Sequence, residues 1–118
     1  MSISTHVLSA VDGVPAEGMK LRFERLDGAG TGGGAPTVTV IGRGVTNSDG
    51  RCPSLTEALT LEPGVYRMRF ETGAWFARSS TATFYPVVEV TFQVIDASVH
   101  YHVPLLMSPF AYSTYRGS

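Results

Sequence analysis

Three histidines are the residues of this chain with the widest chemical reach. Histidine changes its charge close to neutral pH, so it can act as a base, an acid or a metal ligand. His100 and His102 stand two apart. On a strand that spacing sends both rings to one face, and Tyr101 and Val103 to the other. With His6 they could form a three-histidine zinc site. Two ligands at i and i+2 are about 7 Å apart along one strand, however, and no carboxylates stand nearby in sequence to orient them. Their plainest reading is as surface histidines.

Three other features invite a chemical reading. Cys52 follows Asp49-Gly50-Arg51, and the Arg51 cation could lower its thiol pKa and make it a nucleophile. A lone cysteine is more often a small buried hydrophobe, and that reading is preferred. Gly28-Ala29-Gly30-Thr31-Gly32-Gly33 matches G-x-G-x-x-G. A dinucleotide site needs a helix after that run, whereas Pro36 and the β-branched Thr37-Val38-Thr39-Val40 follow. The Gly28–Pro36 stretch therefore reads as a solvated loop tip. The tail Ser113-Thr114-Tyr115-Arg116-Gly117-Ser118 is polar, and composition alone makes it a frayed terminus.

The elements that must position these groups are strands. Apolar and polar residues alternate in Met19–Leu26 and in Val65–Glu71, where Tyr66, Met68 and Phe70 oppose Arg67 and Arg69. Ile3–Leu8, Thr37–Val45, Val87–Ile95, His100–Leu106 and Ala111–Tyr115 are further strand candidates. Asp12-Gly13, Asp49-Gly50 and Pro63-Gly64 punctuate them as turns. Gly73–Ser80 is the one helical candidate. Seven or eight short strands at this spacing predict an all-β sandwich.

Bulk properties narrow the function. At 118 residues the chain fits a single domain, 1–118, able to bury a core of its own. A net charge of −1 gives no electrostatic case for nucleic acid or an anionic membrane. One cysteine allows no internal disulfide. The N-terminus has no signal-peptide pattern, and no apolar run suits a membrane helix. The expectation is a soluble, cytoplasmic protein.

Several motifs together resemble one family. His100-Tyr101-His102-Val103-Pro104-Leu105-Leu106, then Ser108-Pro109-Phe110 and Tyr112-Ser113-Thr114-Tyr115-Arg116-Gly117-Ser118, resemble the C-terminal signature of the 5-hydroxyisourate hydrolases of the transthyretin-like family. Ser4-Thr5-His6-Val7-Leu8 with Asp12-Gly13-Val14-Pro15-Ala16 is similar to the family's opening motif, and Thr46-Asn47-Ser48-Asp49-Gly50-Arg51 to its middle one. Phe84-Tyr85-Pro86 is similar to the segment after its short helix. Transthyretin hormone carriers share the fold but lack the Tyr-Arg-Gly-Ser ending.

The resemblance implies a transthyretin-like (prealbumin-like) sandwich of two four-stranded sheets with one short helix. It implies a homotetramer, a dimer of dimers with active sites in a central channel at the dimer–dimer contact. If His6 and His102 face outward, Leu8, Pro104 and Leu106 share that face, which suits a covered interface. The implied reaction, in urate degradation, is cofactor-free opening of the 5-hydroxyisourate ring by water, to 2-oxo-4-hydroxy-4-carboxy-5-ureidoimidazoline. Such chemistry needs a positioned water, a base and donors for the developing oxyanion. On this reading His6 and His102 activate water, and Arg51 offers its planar donor fork to a carbonyl-rich anion. Tyr115, Arg116 and Gly117 contact substrate or anchor the tail, and Ser118 completes the site with its hydroxyl or terminal carboxylate. No metal is assigned. The main rival is a carrier that uses the same channel for a small ligand, which would want apolar walls and few convergent titratable groups. Ser118 as a covalent nucleophile ranks lower, because a mobile chain end is poorly preorganised.

Overall fold

A computed structural model describes residues 3–28, 34–56 and 60–117. Its strands, in chain order, are β1 (Ile3–Ser9), β2 (Val14–Pro15), β3 (Lys20–Asp27), β4 (Thr37–Val45), β5 (Gly64–Phe70), β6 (Val88–Val94), β7 (Tyr101–Ser108) and β8 (Ala111–Thr114). A 3₁₀ turn covers Pro53–Thr56, and the helix α1 covers Thr72–Ala77 between β5 and β6. The strands form two four-stranded sheets, β2-β1-β7-β8 and β4-β3-β5-β6. Among the described residues no helix is long and apolar enough to cross a membrane.

The period-two pattern decides which side chains enter the space between the sheets. Leu21 and Phe23 of β3, Tyr66, Met68 and Phe70 of β5, Val7 of β1, and Leu105 and Met107 of β7 are all buried. The Phe23 and Tyr66 rings stack with centroids 5.2 Å apart. Burying each such side chain is worth about 1.5–3 kcal/mol. The one polar tip on Tyr66 is satisfied, because its hydroxyl donates to the Glu62 carbonyl at 2.6 Å. Cys52 is buried in the same core. Burial pushes its thiol pKa up, against smaller opposing hydrogen bonds, so it is a packing residue and not a nucleophile.

Two differences from the sequence expectation have local causes. β2 has two residues, too few to show a period. The helix starts at Thr72 and ends at Ala77, short of Ser80. So short a helix is held by packing and not by propensity: Phe76 is buried, the Trp75 indole donates to the Glu17 carbonyl at 2.7 Å, and the Thr72 hydroxyl donates to Tyr85 at 2.9 Å. Most of the Gly28–Pro36 loop lies outside the described residues, and what is described joins β3 to β4.

The sheet connection that matters most for function is the parallel pairing of β1 with β7. Its register sets Ser4 opposite His102 and His6 opposite Pro104. Parallel neighbours require a crossover, and here all of the second sheet intervenes. Two ends of the chain thus meet in one sheet.

Candidate active site

Along β1, buried Ile3, Thr5, Val7 and Ser9 alternate with half-buried Ser4, His6 and Leu8. Ser4 and His6 therefore stand on the outer face of their sheet. On β7, Tyr101 and Val103 turn inward while His102 is half-buried on the outer side. Leu8 and Leu106 are half-buried on that face. Pro104 is fully buried, and the Thr114 hydroxyl of β8 donates to its carbonyl at 2.7 Å.

A tight turn delivers Arg51 to the same region. The Asn47 side-chain oxygen accepts from the Asp49 and Arg51 amides at 2.9 and 3.1 Å, and the Asn47 amide donates to the Arg51 carbonyl at 2.8 Å. Gly50 takes φ +75°, a left-handed conformation natural to glycine. A β-carbon there would collide with the Val7 carbonyl oxygen, so the turn docks against β1 only with glycine. The Val7 amide donates to Gly50 at 2.8 Å, and His6 and Arg51 form an antiparallel bridge.

The tail closes the other flank. His102 and Gly117 form an antiparallel bridge, with the Gly117 amide donating to the His102 carbonyl at 2.9 Å. Gly117 lies flat against the imidazole, and an added β-carbon would strike His102 Cδ2. Ser4 holds the ring from the opposite strand, with its hydroxyl 2.7 Å from His102 Nδ1 and 2.8 Å from His100 Nε2.

The electrostatics favour a neutral His102. Burial is the largest influence lowering its pKa, followed by the charges of Arg51, His100 and His6. A hydrogen bond to the Ser4 backbone opposes these in part. A neutral imidazole with Nδ1 engaged keeps Nε2 for a water molecule. Beside a fixed cation, it has the parts needed to deprotonate water and to stabilise an oxyanion.

Residues 3–117 match the model of the HIUase/Transthyretin family. The chain belongs to that family. A mouse 5-hydroxyisourate hydrolase is 40% identical, over 98% of this chain and 94% of its own. One from Salmonella dublin is 38% identical, over 98% of this chain and 80% of its own. A solved structure of the Klebsiella pneumoniae 5-hydroxyisourate hydrolase superposes with a TM-score of 0.80 at 34% identity, covering 98% of both chains. Sea bream transthyretin in complex with thyroxine superposes at 0.85 and 31% identity, covering 98% of this chain and 93% of that one. The family's two four-stranded sheets and short helix are those expected from the motifs.

Within this family member, His6, Arg51, His102 and Gly117 come together as the motifs imply. Arg116 lays its guanidinium over the Tyr101 ring, 4.5 Å from the centroid, which makes it an anchor for the tail. Tyr115 is exposed and lines a cavity of about 240 Å³ with Val90, Phe92, Ile95 and His102. His6 and Arg51 do not line that cavity. Ser118 lies outside the described residues. A larger cleft, about 570 Å³, is on the other sheet beside Lys20, Arg22, Arg43 and Glu71. It holds no histidine, so chemistry outweighs size in locating the site. Among the described residues no three His, Cys, Asp or Glu side chains are grouped to hold a metal ion.

Ser4 and Asn47 hold His102 and the Arg51 turn in place, yet neither residue type nor spacing singles them out in the sequence. Ser4 stood in plain view two residues before His6, on the same strand face. Its partner stands 98 residues away, so alternation alone could not pair them.

Proposed function

We propose that this chain hydrolyses 5-hydroxyisourate. The observation that carries the reading is the meeting of His6, Arg51 and His102, whose pKa burial lowers, at one sheet face. The relatives that bear the name of this hydrolase support it along nearly the whole chain. His102, with His6, takes a proton from water, and the water oxygen attacks a ring carbonyl carbon. Arg51 donates to the resulting oxyanion. The carbon–nitrogen bond then breaks, and the departing ring nitrogen takes the proton back from the histidine. Tyr115 and Ser118 complete the substrate contacts, with Arg116 and Gly117 holding the tail. No cofactor is required by any of these steps.

On this outer sheet face His6 and His102 are half-buried and Arg51 is exposed. A facing subunit would supply a wall there, and half-buried Leu8 and Leu106 give that contact apolar surface. This supports the homotetramer, a dimer of dimers of single-domain chains. Cytoplasmic residence rests on the lone, buried thiol. The carrier alternative draws on the fold shared with transthyretin. A cationic, histidine-bearing face suits it less than it suits hydrolysis.

The deciding experiment is a spectroscopic assay with freshly generated 5-hydroxyisourate. The intact chain should accelerate ring opening, and His102→Ala, Arg51→Ala and a chain lacking residues 115–118 should each lose most of that acceleration. No acceleration by the intact chain rules out the hydrolase. Full activity in the shortened chain rules out the role given to the tail.

A further inference from the structure

The Ser4 hydroxyl touches two imidazoles at once, at 2.7 Å from His102 Nδ1 and 2.8 Å from His100 Nε2. A hydroxyl carries a single proton and so cannot donate to both rings. If His102 Nδ1–H donates to Ser4, the Ser4 proton is free to point at His100 Nε2. His102 then has its Nε2 bare and basic. The opposite polarity puts the proton on His102 Nε2 and leaves Nδ1 as the acceptor. The two polarities differ only by the position of protons along one chain of hydrogen bonds. One end of that chain is half-buried at the site, and the other end, His100, is exposed.

We propose that Ser4 is a positioning and relay residue that fixes the basic tautomer of His102 and passes its surplus proton to His100. The inference rests on His102 being the base of the proposed hydrolysis. As water gives a proton to His102 Nε2, His102 Nδ1 gives one to Ser4 Oγ, and Ser4 gives its own to His100 Nε2. Ser4 ends neutral, His102 ends neutral with the proton on Nε2, and the positive charge rests on His100. When the ring nitrogen departs it takes the Nε2 proton. The relay then runs backward and restores the starting state, so no proton is gained or lost.

The surroundings give the relay its direction. Burial and the Arg51, His6 and His100 charges all oppose an imidazolium at His102. Solvent stabilises the cation better at exposed His100. The relay moves charge away from Arg51 as the water is deprotonated, leaving Arg51 to the oxyanion.

Kinetics on Ser4→Ala, His100→Ala and the double variant test this. Ser4→Ala should lower kcat about tenfold, part of the roughly 10²–10⁴-fold that general base catalysis contributes. KM should stay within about twofold in that variant, since Ser4 is assigned no substrate contact. Ser4→Thr should restore kcat, because it keeps the hydroxyl. His100→Ala should fall by a similar factor, and the double variant no further than either single one. Losses that multiply in the double variant would mean two independent positions and overturn the relay, as would wild-type kcat in Ser4→Ala. Nitrogen-15 NMR of the imidazoles gives a readout independent of turnover. His102 should carry its proton on Nδ1 in the resting wild type and lose that preference in Ser4→Ala, and an unchanged tautomer would overturn the positioning role. His102→Ala with wild-type turnover would instead overturn the site assignment itself. An inactive His102→Ala beside a fully active Ser4→Ala would overturn the relay alone.

Discussion

The outer faces of the two sheets are both polar, yet they use charge in opposite ways. On β4-β3-β5-β6 the charges neutralise one another. Glu24 is fully buried under Arg22 and Arg67, whose Nε atoms lie 2.7 and 2.6 Å from its oxygens. Arg69 bonds both Glu71 and Glu89, at 3.2 and 2.9 Å. On β2-β1-β7-β8 the polar groups include His6, His102 and the adjoining Arg51, and among the described residues no carboxylate pairs with Arg51. The first face has spent its electrostatics on holding itself together. Among the described residues the second keeps basic groups beside one another without a carboxylate between them, an arrangement that suits a bound anion or a reacting carbonyl. Convergent charge without a partner marks a working surface better than cleft volume does.

The sharpest way to break this contrast is to remove the uncompensated groups. His102→Ala or Arg51→Ala should lower kcat/KM for 5-hydroxyisourate by about 10²–10⁴-fold, the range of base and oxyanion contributions. Denaturant unfolding should change little, because neither side chain is enclosed in the core. A large loss of stability with little loss of activity would erase the distinction between the faces. Gly117→Ala tests the same face more gently. Its new β-carbon must displace the His102 ring or lift the tail, and misplacing a reacting group by about 1 Å costs up to 10²-fold. A roughly tenfold to hundredfold loss of kcat/KM is expected, with KM and kcat measured separately.

The compensated face should respond in stability and not in turnover. Burial alone would push the Glu24 carboxyl pKa up, but hydrogen bonds and charges from Arg67 and Arg22 outweigh it and hold it below the usual glutamate range. Glu24→Gln leaves two half-exposed arginines able to reach water, so the loss is about 2 kcal/mol, typical of a charge-assisted bond. Activity per folded molecule should be unchanged. A denaturant midpoint equal to wild type would show that the Arg–Glu–Arg group contributes nothing to folding.

How much of this contrast could be read from the sequence differs by residue. Alternation was enough to turn Tyr66, Met68 and Phe70 inward and Arg67 and Arg69 outward, because strand period is a local property. The run of Thr and Val gave β4 its observed limits, Thr37–Val45. Alternation put Glu24 on the outer face correctly but could not bury it, since burial there depends on the register that sets Glu24 opposite Arg67. His100 and His102 share a face as their spacing requires, and both reach Ser4. That Ser4 is their common partner depends on a parallel pairing between the two ends of the chain. The family motifs pointed to His6, Arg51 and His102, which the fold places near one another, without any geometry. They did not separate Arg116, which anchors on Tyr101, from residues that face the histidines.

The subtlest difference between the faces is in their response to acid. His102 has its pKa lowered by burial and by the charges of Arg51, His100 and His6. Its native pKa thus lies below the ordinary histidine value of about 6.5 that it regains on unfolding. As pH falls through that ordinary value, the unfolded chain takes up the proton first. The contribution of neutral His102 to stability is therefore full above it and is lost as pH falls toward the native pKa. Activity follows the native pKa alone, so the acid limb of the kcat/KM profile should lie below that of a free imidazole. Glu24 runs out later, because its contribution persists until pH falls through a native pKa already below the usual glutamate range. Acid should disable the histidine face before it weakens the carboxylate face. An imidazole titration by NMR, read beside the pH–rate profile, checks the order. Arg51→Gln should move the His102 titration upward, toward the free value, by removing one of the charges that oppose its protonation. A His102 titration that stays put in Arg51→Gln would mean that Arg51 does not act on the base, and the uncompensated cation would then have no part in keeping it neutral.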